Sequence, residues 1–298
     1  VDSRVCASIA NKDIPEEGKE APMQRWEYRV FHRQRTVSMG EITSGWDENI
    51  VGMLPELGDN GWELVTVLPR SSIGGETNAG ITTDELDKIA YDFTLSHGAK
   101  PAPLGYKGYP KSICTSVNHV ICHGVPGAEV LKEGDIVNVD VTCLLDGFHG
   151  DTSATFYVGE VSENARKITE AAKKAMEKGI EAITPFGTTG DIGFAINKYA
   201  TKNGFFVVEE IGGHGIGRGF HEDPFVPSFG KKGRGDRLLP GGTITVEPML
   251  NETDADMIEF AIPDSKIFWY ITADKCLSAQ FEHTVLITET GPEILTVP

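Results

Sequence analysis

The feature that most constrains this chain is the placement of acidic side chains inside runs that are otherwise apolar. Ile136-Val137-Asn138-Val139-Asp140-Val141-Thr142 is rich in β-branched residues and is interrupted by Asp140. Such residues favour a pleated, half-buried strand. An ionised carboxylate is costly to bury there unless it is paired or holds a metal. Three more carboxylates share the predicament. Asp151 lies in His149-Gly150-Asp151-Thr152, Glu247 in Thr243-Ile244-Thr245-Val246-Glu247-Pro248-Met249, and Glu282 in Ser278-Ala279-Gln280-Phe281-Glu282-His283-Thr284. Any fold must either turn these groups outward or gather them around positive charge.

Asp151 stands eleven residues beyond Asp140, across a turn expected at Asp146-Gly147. A hairpin there brings the two carboxylates close on neighbouring strands. Taken alone, the pair is better read as one solvent-facing aspartate and one turn aspartate; four carboxylates in like settings change the balance. These strands carry few basic residues, so divalent cations are the better source of charge. The run Gly212-Gly213-His214-Gly215-Ile216-Gly217-Arg218-Gly219-Phe220-His221-Glu222 adds two histidines. It lacks the Lys-Ser/Thr ending of a P-loop, and no second His follows a His-Glu pair at the zincin spacing. Its glycines are expected to let the backbone crowd a ligand. One imidazole with four carboxylates is a hard donor set, suited to Mn, Fe(II), Co or Zn. Two such ions can clamp a water between them.

The net charge of −17 disfavours DNA and anionic membranes as partners. The basic stretch Lys231, Lys232, Arg234 and Arg237 is read as a solvated loop, with a transient ribosome contact as the sharper alternative. Cys6, Cys114, Cys122, Cys143 and Cys276 form no secreted-type framework, which points to a reducing compartment. No run approaches the length of a membrane span, and no apolar segment opens the chain, so a cytoplasmic location is expected.

Four stretches follow along the chain. Residues 1–22 read as a tail. Residues 23–70 read as a small β-α-β unit of unknown function: Trp26, Tyr28 and Val30 alternate, Ile50, Val51, Leu54 and Leu57 suit a helical face, and Trp62, Leu64, Val65 and Val67 suit a second strand. Residues 71–80 form a Gly- and Ser-rich linker. Residues 81–298 form the larger unit. Within it Thr83 is expected to cap a helix through Leu86, Ile89, Ala90 and Phe93, and further helices are expected over 163–183 and 191–203. Strands are expected within 112–158 and over 205–210, 243–250, 267–272 and 278–288. Without regular β-α-β alternation, the class is α+β.

Taken in order with Leu104-Gly105-Tyr106-Lys107-Gly108-Tyr109-Pro110-Lys111-Ser112 and Cys122-His123-Gly124-Val125-Pro126, these segments resemble the type I methionine aminopeptidases from Ile81 to Val297. The resemblance implies the pita-bread (creatinase/aminopeptidase) fold, a curved antiparallel sheet with flanking helices. It implies two divalent ions (Co, Mn, Fe(II) or Zn) held by Asp140, Asp151, His214, Glu247 and Glu282. Asp151 and Glu282 would bridge them, Asp140 would hold one, and His214 and Glu247 the other. Glu247 would also shuttle a proton. His123 and His221 would position substrate and stabilise the charged intermediate. Tyr106, Tyr109, Cys114, Phe220 and Trp269 would line a methionine side-chain pocket. The implied reaction is removal of the initiator methionine from nascent polypeptide N-termini whose second residue is small, by a monomer.

The chain departs from that pattern in places. Pro103 stands where many members have Cys, the Trp269 region is shifted, and 251–267 is unusual in length. The linker and the 23–70 unit occupy the place of a long amphipathic helix before Ile81. Two other readings stay open: an X-Pro aminopeptidase or prolidase-like enzyme, and a non-catalytic binding protein reusing the fold. The set Tyr106, Tyr109 and Cys114 favours methionine over the former, and retention of all five candidate ligands argues against the latter.

Overall fold

The computed structural model describes residues 79–296 continuously. Before them it describes only the backbone of three short strands, β1 (Ile9–Asn11), β2 (Trp26–Tyr28) and β3 (Glu76–Thr77). The chain forms two compact units, Val1–Thr66 with Val297–Pro298, and Val67–Thr296. In the first, β1 pairs antiparallel with β2. The strand expected around Trp26 is therefore present, and it is partnered by a segment expected to be tail. The helix and second strand expected at 50–67 lie outside the described residues, as does the place of the helix expected before Ile81.

The larger unit opens with β3, inside the segment read as linker, which pairs parallel with Tyr157 and Val158. Helix α1 (Thr83–Ser96) follows. Its cap is Thr82, one residue earlier than expected: the Thr82 N–H donates to Glu85 Oε2 at 2.7 Å, and the Glu85 N–H donates to Thr82 Oγ1 at 3.2 Å. Thr83 is buried and its hydroxyl donates to the Gly127 carbonyl instead. Then come β4 (Lys100–Pro101), a tight turn at Tyr106–Gly108, β5 (Cys114–Val117), β6 (Val120–Cys122), β7 (Ile136–Leu145) and β8 (Phe148–Val158). Strands β7 and β8 form a ten-pair hairpin closed by Asp146-Gly147, both at positive φ, as the sequence predicts.

Helices α2 (Glu163–Glu181) and α3 (Thr189–Lys202) pack against each other. Helix α3 starts two residues before the predicted Asp191, because Asp191 is the third helical residue of a capping box: the Thr188 N–H and hydroxyl both donate to Asp191 Oδ2. After α3 come β9 (Phe206–Val207), β10 (Gly213–Gly215), β11 (Glu222–Val226), β12 (Thr243–Val246) and β13 (Met249–Asn251). The expected strand 243–250 is split at Glu247-Pro248, since proline has no N–H for the ladder. A hairpin not foreseen in the long 251–267 stretch joins β14 (Met257–Ala261) to β15 (Phe268–Thr272). Strands β16 (Ser278–Gln280), β17 (Glu282–Ile287) and β18 (Pro292–Ile294) complete the unit.

The main sheet runs β11-β10-β12-β17-β8-β7-β4, with β18, β3 and β5 pairing at its margins. All its pairings are antiparallel except β3 with β8. The α+β class expected from the sequence is thus present. Successive strand residues face opposite ways. On β12 and β17, Ile244, Val246, Val285 and Ile287 enter one apolar cluster with Ile168, Ala172, Ala175 and Met176 of α2 and Ile192 and Ile196 of α3. Thr245 and Thr284, of the opposite parity, are free to build the polar face. The basic stretch at 231–237 is exposed, as a solvated loop is, and its backbone docks on the start of α3. The Gly190 N–H donates to the Arg234 carbonyl, the Gly233 N–H to Asp191 Oδ1, and Arg237 Nη1 to the Phe186 carbonyl at 2.7 Å.

Ile168 is fully buried between α2 and the sheet. Ile168→Ala is expected to cost about 2–5 kcal/mol of unfolding free energy, the range for a truncated core aliphatic that leaves a cavity. Chemical denaturation of the variant beside the parent checks this.

Candidate metal centre

Five neighbouring strands of the main sheet, β10-β12-β17-β8-β7, each deliver one candidate ligand. In that spatial order they are His214, Glu247 just beyond the end of β12, Glu282, Asp151 and Asp140. Register puts them on one face. Asp140 and Glu282 both lie opposite Ser153, and Asp151 is two residues from Ser153 on the same strand. Asp140 and Asp151 are therefore diagonal neighbours across the hairpin. One ligand atom each from Asp151, His214 and Glu282 fall within 4.8 Å of one another. His214 Nε2 lies 3.9 Å from Asp151 Oδ2 and 3.6 Å from Glu247 Oε1. Asp140 is close enough to Asp151 and Glu247 for both to raise its pKa beyond what burial does, and it in turn helps to raise that of Glu282.

Asp151 and Glu282 are buried, and the side chains of His214 and Glu247 are 13% and 11% exposed. Among the described residues, none of the four carboxylates is ion-paired with lysine or arginine. Burial pushes Asp140 and Glu282 well above the usual carboxylate range, and their carboxylate neighbours push them further. Glu247 rises for the same two reasons. Asp151 also rises by burial, against opposing hydrogen bonds from Thr142 and others. Glu282 Oε1 is buried without a hydrogen-bond partner. A fully buried acceptor with nothing to accept from, amid mutually repelling carboxylates, fits a cation as its missing partner.

The remaining lone pairs are held in place. Thr142 Oγ1 donates to Asp151 Oδ1 at 2.7 Å, and Thr245 Oγ1 to Glu247 Oε1 at 2.8 Å. Gln280 Nε2 donates to Glu247 Oε2 at 3.2 Å. The Thr284 hydroxyl donates to the Asp151 carbonyl and accepts from the Asp151 N–H, fixing that residue from both sides. Sequence reasoning singled out none of these four. Their only signal was alternation, since Thr245 and Thr284 share parity with Glu247 and Glu282, and Thr142 with Asp140.

The histidines sort by where their protons go. His214 Nδ1 lies 2.9 Å from the Gly215 carbonyl, which can only accept, so Nδ1 carries hydrogen and Nε2 keeps a lone pair toward the carboxylates. Burial lowers its pKa and keeps it neutral. The glycines on either side of it let neighbouring backbone come close. A Cβ on Gly213 would meet the Thr245 carbonyl oxygen at 2.3 Å, and one on Gly215 the Asp223 carbonyl oxygen at 2.2 Å. Close strand approach therefore excludes side chains on both sides of His214. His123 Nδ1 likewise faces a carbonyl, Phe268 O at 3.0 Å, so its Nε2 is an acceptor, and burial lowers its pKa. His221 packs against His214 with ring centroids 4.2 Å apart and stacks on Tyr106 at 5.3 Å. Desolvation by those rings and the nearby His214 lower its pKa.

The five expected pocket residues fall into two groups. Tyr109 and Cys114 are buried together with Ile262, and Trp269 packs against them. Cys114 lies opposite Asp140 in the β5–β7 ladder, so this apolar cluster adjoins the carboxylates. Burial and Asp140 push its thiol up, leaving it an uncharged lining group. Tyr106 and Phe220 instead join the ring cluster of His214 and His221, with Tyr106 and Phe220 centroids 4.8 Å apart.

Residues 68–289 match the model of metallopeptidase family M24. The chain is 51% identical over 219 residues to methionine aminopeptidase A of Synechocystis, which spans 73% of this chain and 85% of that protein. Its structure is similar to the crystal structure of methionine aminopeptidase from Rickettsia prowazekii, with TM-score 0.73 and 46% identity, over 78% of this chain and 91% of that one. The pita-bread fold implied by the sequence is thus the fold shared with that enzyme. The prolidase of Pyrococcus furiosus is alike in fold alone, at 23% identity and TM-score 0.58, over 77% of this chain and 59% of that one.

The raised carboxylates give the metal-free protein a definite pH response. Unfolded carboxylates titrate near about 4. Groups whose folded pKa lies higher hold protons that the unfolded chain has released, so raising the pH removes stability. Buried histidines with lowered pKa contribute the opposite slope only below about 6.5, so chelator-stripped protein is expected to lose stability as pH rises from about 7 to about 8, and added Mn²⁺ or Co²⁺ to abolish that slope. Urea midpoints against pH, with and without the ion, check the sign; a stripped protein that gains stability over that interval would show the carboxylates do not repel one another.

Proposed function

The chain belongs to metallopeptidase family M24, and on that premise we infer that it is a methionine aminopeptidase that removes the N-terminal methionine of new polypeptides when the next residue is small. The observation that carries the reading is the convergence of Asp140, Asp151, His214, Glu247 and Glu282 from five adjacent strands onto one buried face. Identity of about half to a methionine aminopeptidase over most of its length supports the substrate. These five groups would hold two divalent ions. The donor set accommodates Co, Mn, Fe(II) or Zn. When bound, such ions supply Lewis acidity and make a water nucleophilic near neutral pH.

The chain's own residues do the rest. Glu247, held by Thr245 and Gln280, would take the proton of the attacking water and pass it to the leaving amine. His123 presents Nε2 as an acceptor, which suits a substrate N–H rather than an oxyanion. His221 is the better donor to developing negative charge. The two histidines, given one shared role by resemblance, thus divide it. Tyr109, Cys114 and Trp269 offer the apolar and sulfur surface that a flexible thioether favours. Nascent chains as substrates place the enzyme where polypeptides are made, the cytoplasm, with Lys231, Lys232 and Arg234 as the exposed cations available to a ribosome surface.

His221→Ala is expected to lower kcat on a Met-Ala-Ser peptide by about 10²-fold with a smaller change in KM, the size of effect for loss of one donor to the transition state. Chelation should abolish release of methionine and a divalent ion restore it. Steady-state kinetics with metal analysis check both. Cleavage of Ala-Pro peptides in preference to Met-Ala peptides would replace this reading with the X-Pro one.

A further inference from the structure

The hairpin of β14 and β15 was not foreseen in the sequence, and its tip does something the candidate ligands do not. Ile262, 4% exposed, forms a buried cluster with Tyr109 and Cys114, and Ile267 and Trp269 pack against it. This cluster is separate from the core under α2 and α3. Two residues of the tip are thus walls of the apolar patch beside Asp140. The tip is also fastened to the turn that carries Tyr106 and Tyr109. The Lys266 N–H donates to the Lys107 carbonyl at 2.8 Å, and Ser265 Oγ donates to the same oxygen at 3.2 Å. Gly108, at φ +88°, leaves room for this: a Cβ there would lie 2.4 Å from the Asp264 carbonyl oxygen and 3.0 Å from Ser265 Cα. Outside the tip, Phe260 stacks on Trp269 with centroids 4.7 Å apart.

We propose that the 262–267 tip is the specificity-determining wall of the methionine side-chain pocket, with Ile262 setting the pocket's depth and the Lys107–Gly108 docking fixing where that wall stands. The inference rests on the aminopeptidase reading and adds residues to it. A wall made by a hairpin tip is adjustable, because its docking on Lys107 and Gly108 and the pairing of β15 with β6 both lie outside the sheet that holds the ligands. Shortening Ile262 therefore enlarges the pocket without touching a ligand strand. Displacing the tip from Gly108 does the same without altering any side chain of the pocket.

The test compares Met-Ala-Ser with the same peptide carrying ethionine, one methylene longer, at its N-terminus, using metal-loaded full-length enzyme. In Ile262→Ala the ethionyl-to-methionyl ratio of kcat/KM is expected to rise about tenfold or more, the discrimination one methylene commands in an apolar pocket. The change should come mainly through KM for methionine. Gly108→Ala, which must push the Asp264 carbonyl away, is expected to move the ratio in the same direction and serves where Ile262→Ala fails to fold. An unchanged ratio in both variants, or equal proportional loss on both peptides, makes the tip simple packing and overturns the proposal. Failure of the unmodified enzyme to release either residue instead overturns the aminopeptidase reading beneath it.

Discussion

Mutual repulsion among four buried carboxylates is the constraint on which the rest of this structure turns. Each would be tolerable alone at a sheet surface; together, burial first and then neighbouring carboxylates raise Asp140, Glu247 and Glu282, and Glu282 Oε1 is left with no donor. The fold holds them there because the opposite face of the same strands is committed elsewhere. Ile244, Val246, Val285 and Ile287 pack under α2 and α3, and alternation then obliges Thr245, Glu247 and Thr284 to face the centre. Apolar burial on one face thus finances electrostatic strain on the other, and a bound cation converts that strain into affinity.

How much of this was legible in the sequence follows from what kind of signal each part gives. Asp140 and Asp151 could be brought together on paper because a two-residue turn at Asp146-Gly147 and a side-chain period of two leave little choice of register. The strand order that seats His214 beside Glu247, and Glu282 between Glu247 and Asp151, was not legible in that way. Pairings across a hundred residues depend on which apolar faces meet, and no local pattern encodes it. The family resemblance supplied the set of five, and the sheet supplies the reason they meet. Thr142, Thr245, Thr284 and Gln280 were passed over because Thr is ordinary in strands; only the oxygen it points at makes it a positioning group. The glycines flanking His214 also have a role that the sequence did not indicate: they let the neighbouring strands' backbone approach.

Proton bookkeeping separates histidines that motif reasoning treats alike. A ring nitrogen facing a backbone carbonyl must carry hydrogen, so the other nitrogen is a base. By that rule His214 aims a lone pair at the carboxylates, and His123 aims one away from Phe268. Neither can donate a proton from that nitrogen while burial keeps it neutral. His221, held by ring contacts and no such carbonyl, is left as the group able to donate. The difference arises from β-strand and loop carbonyls far apart in sequence, which is why the residue types alone do not reveal it.

The same separation of parts explains how a chain can keep a demanding ligand set and still vary what it binds. Cys114 sits opposite Asp140 in the β5–β7 ladder, so one wall of the apolar cluster is as fixed as the carboxylates themselves. Ile262 comes from a hairpin held to the body of the enzyme by the pairing of β15 with β6 and by Lys107 and Gly108, all outside the main sheet. A length change between 251 and 267 therefore alters the pocket's far wall while the five ligand strands keep their register. The unusual length of that stretch falls at a position the sheet can tolerate, because a one-residue insertion within β7, β8 or β17 would instead turn a carboxylate to the other face.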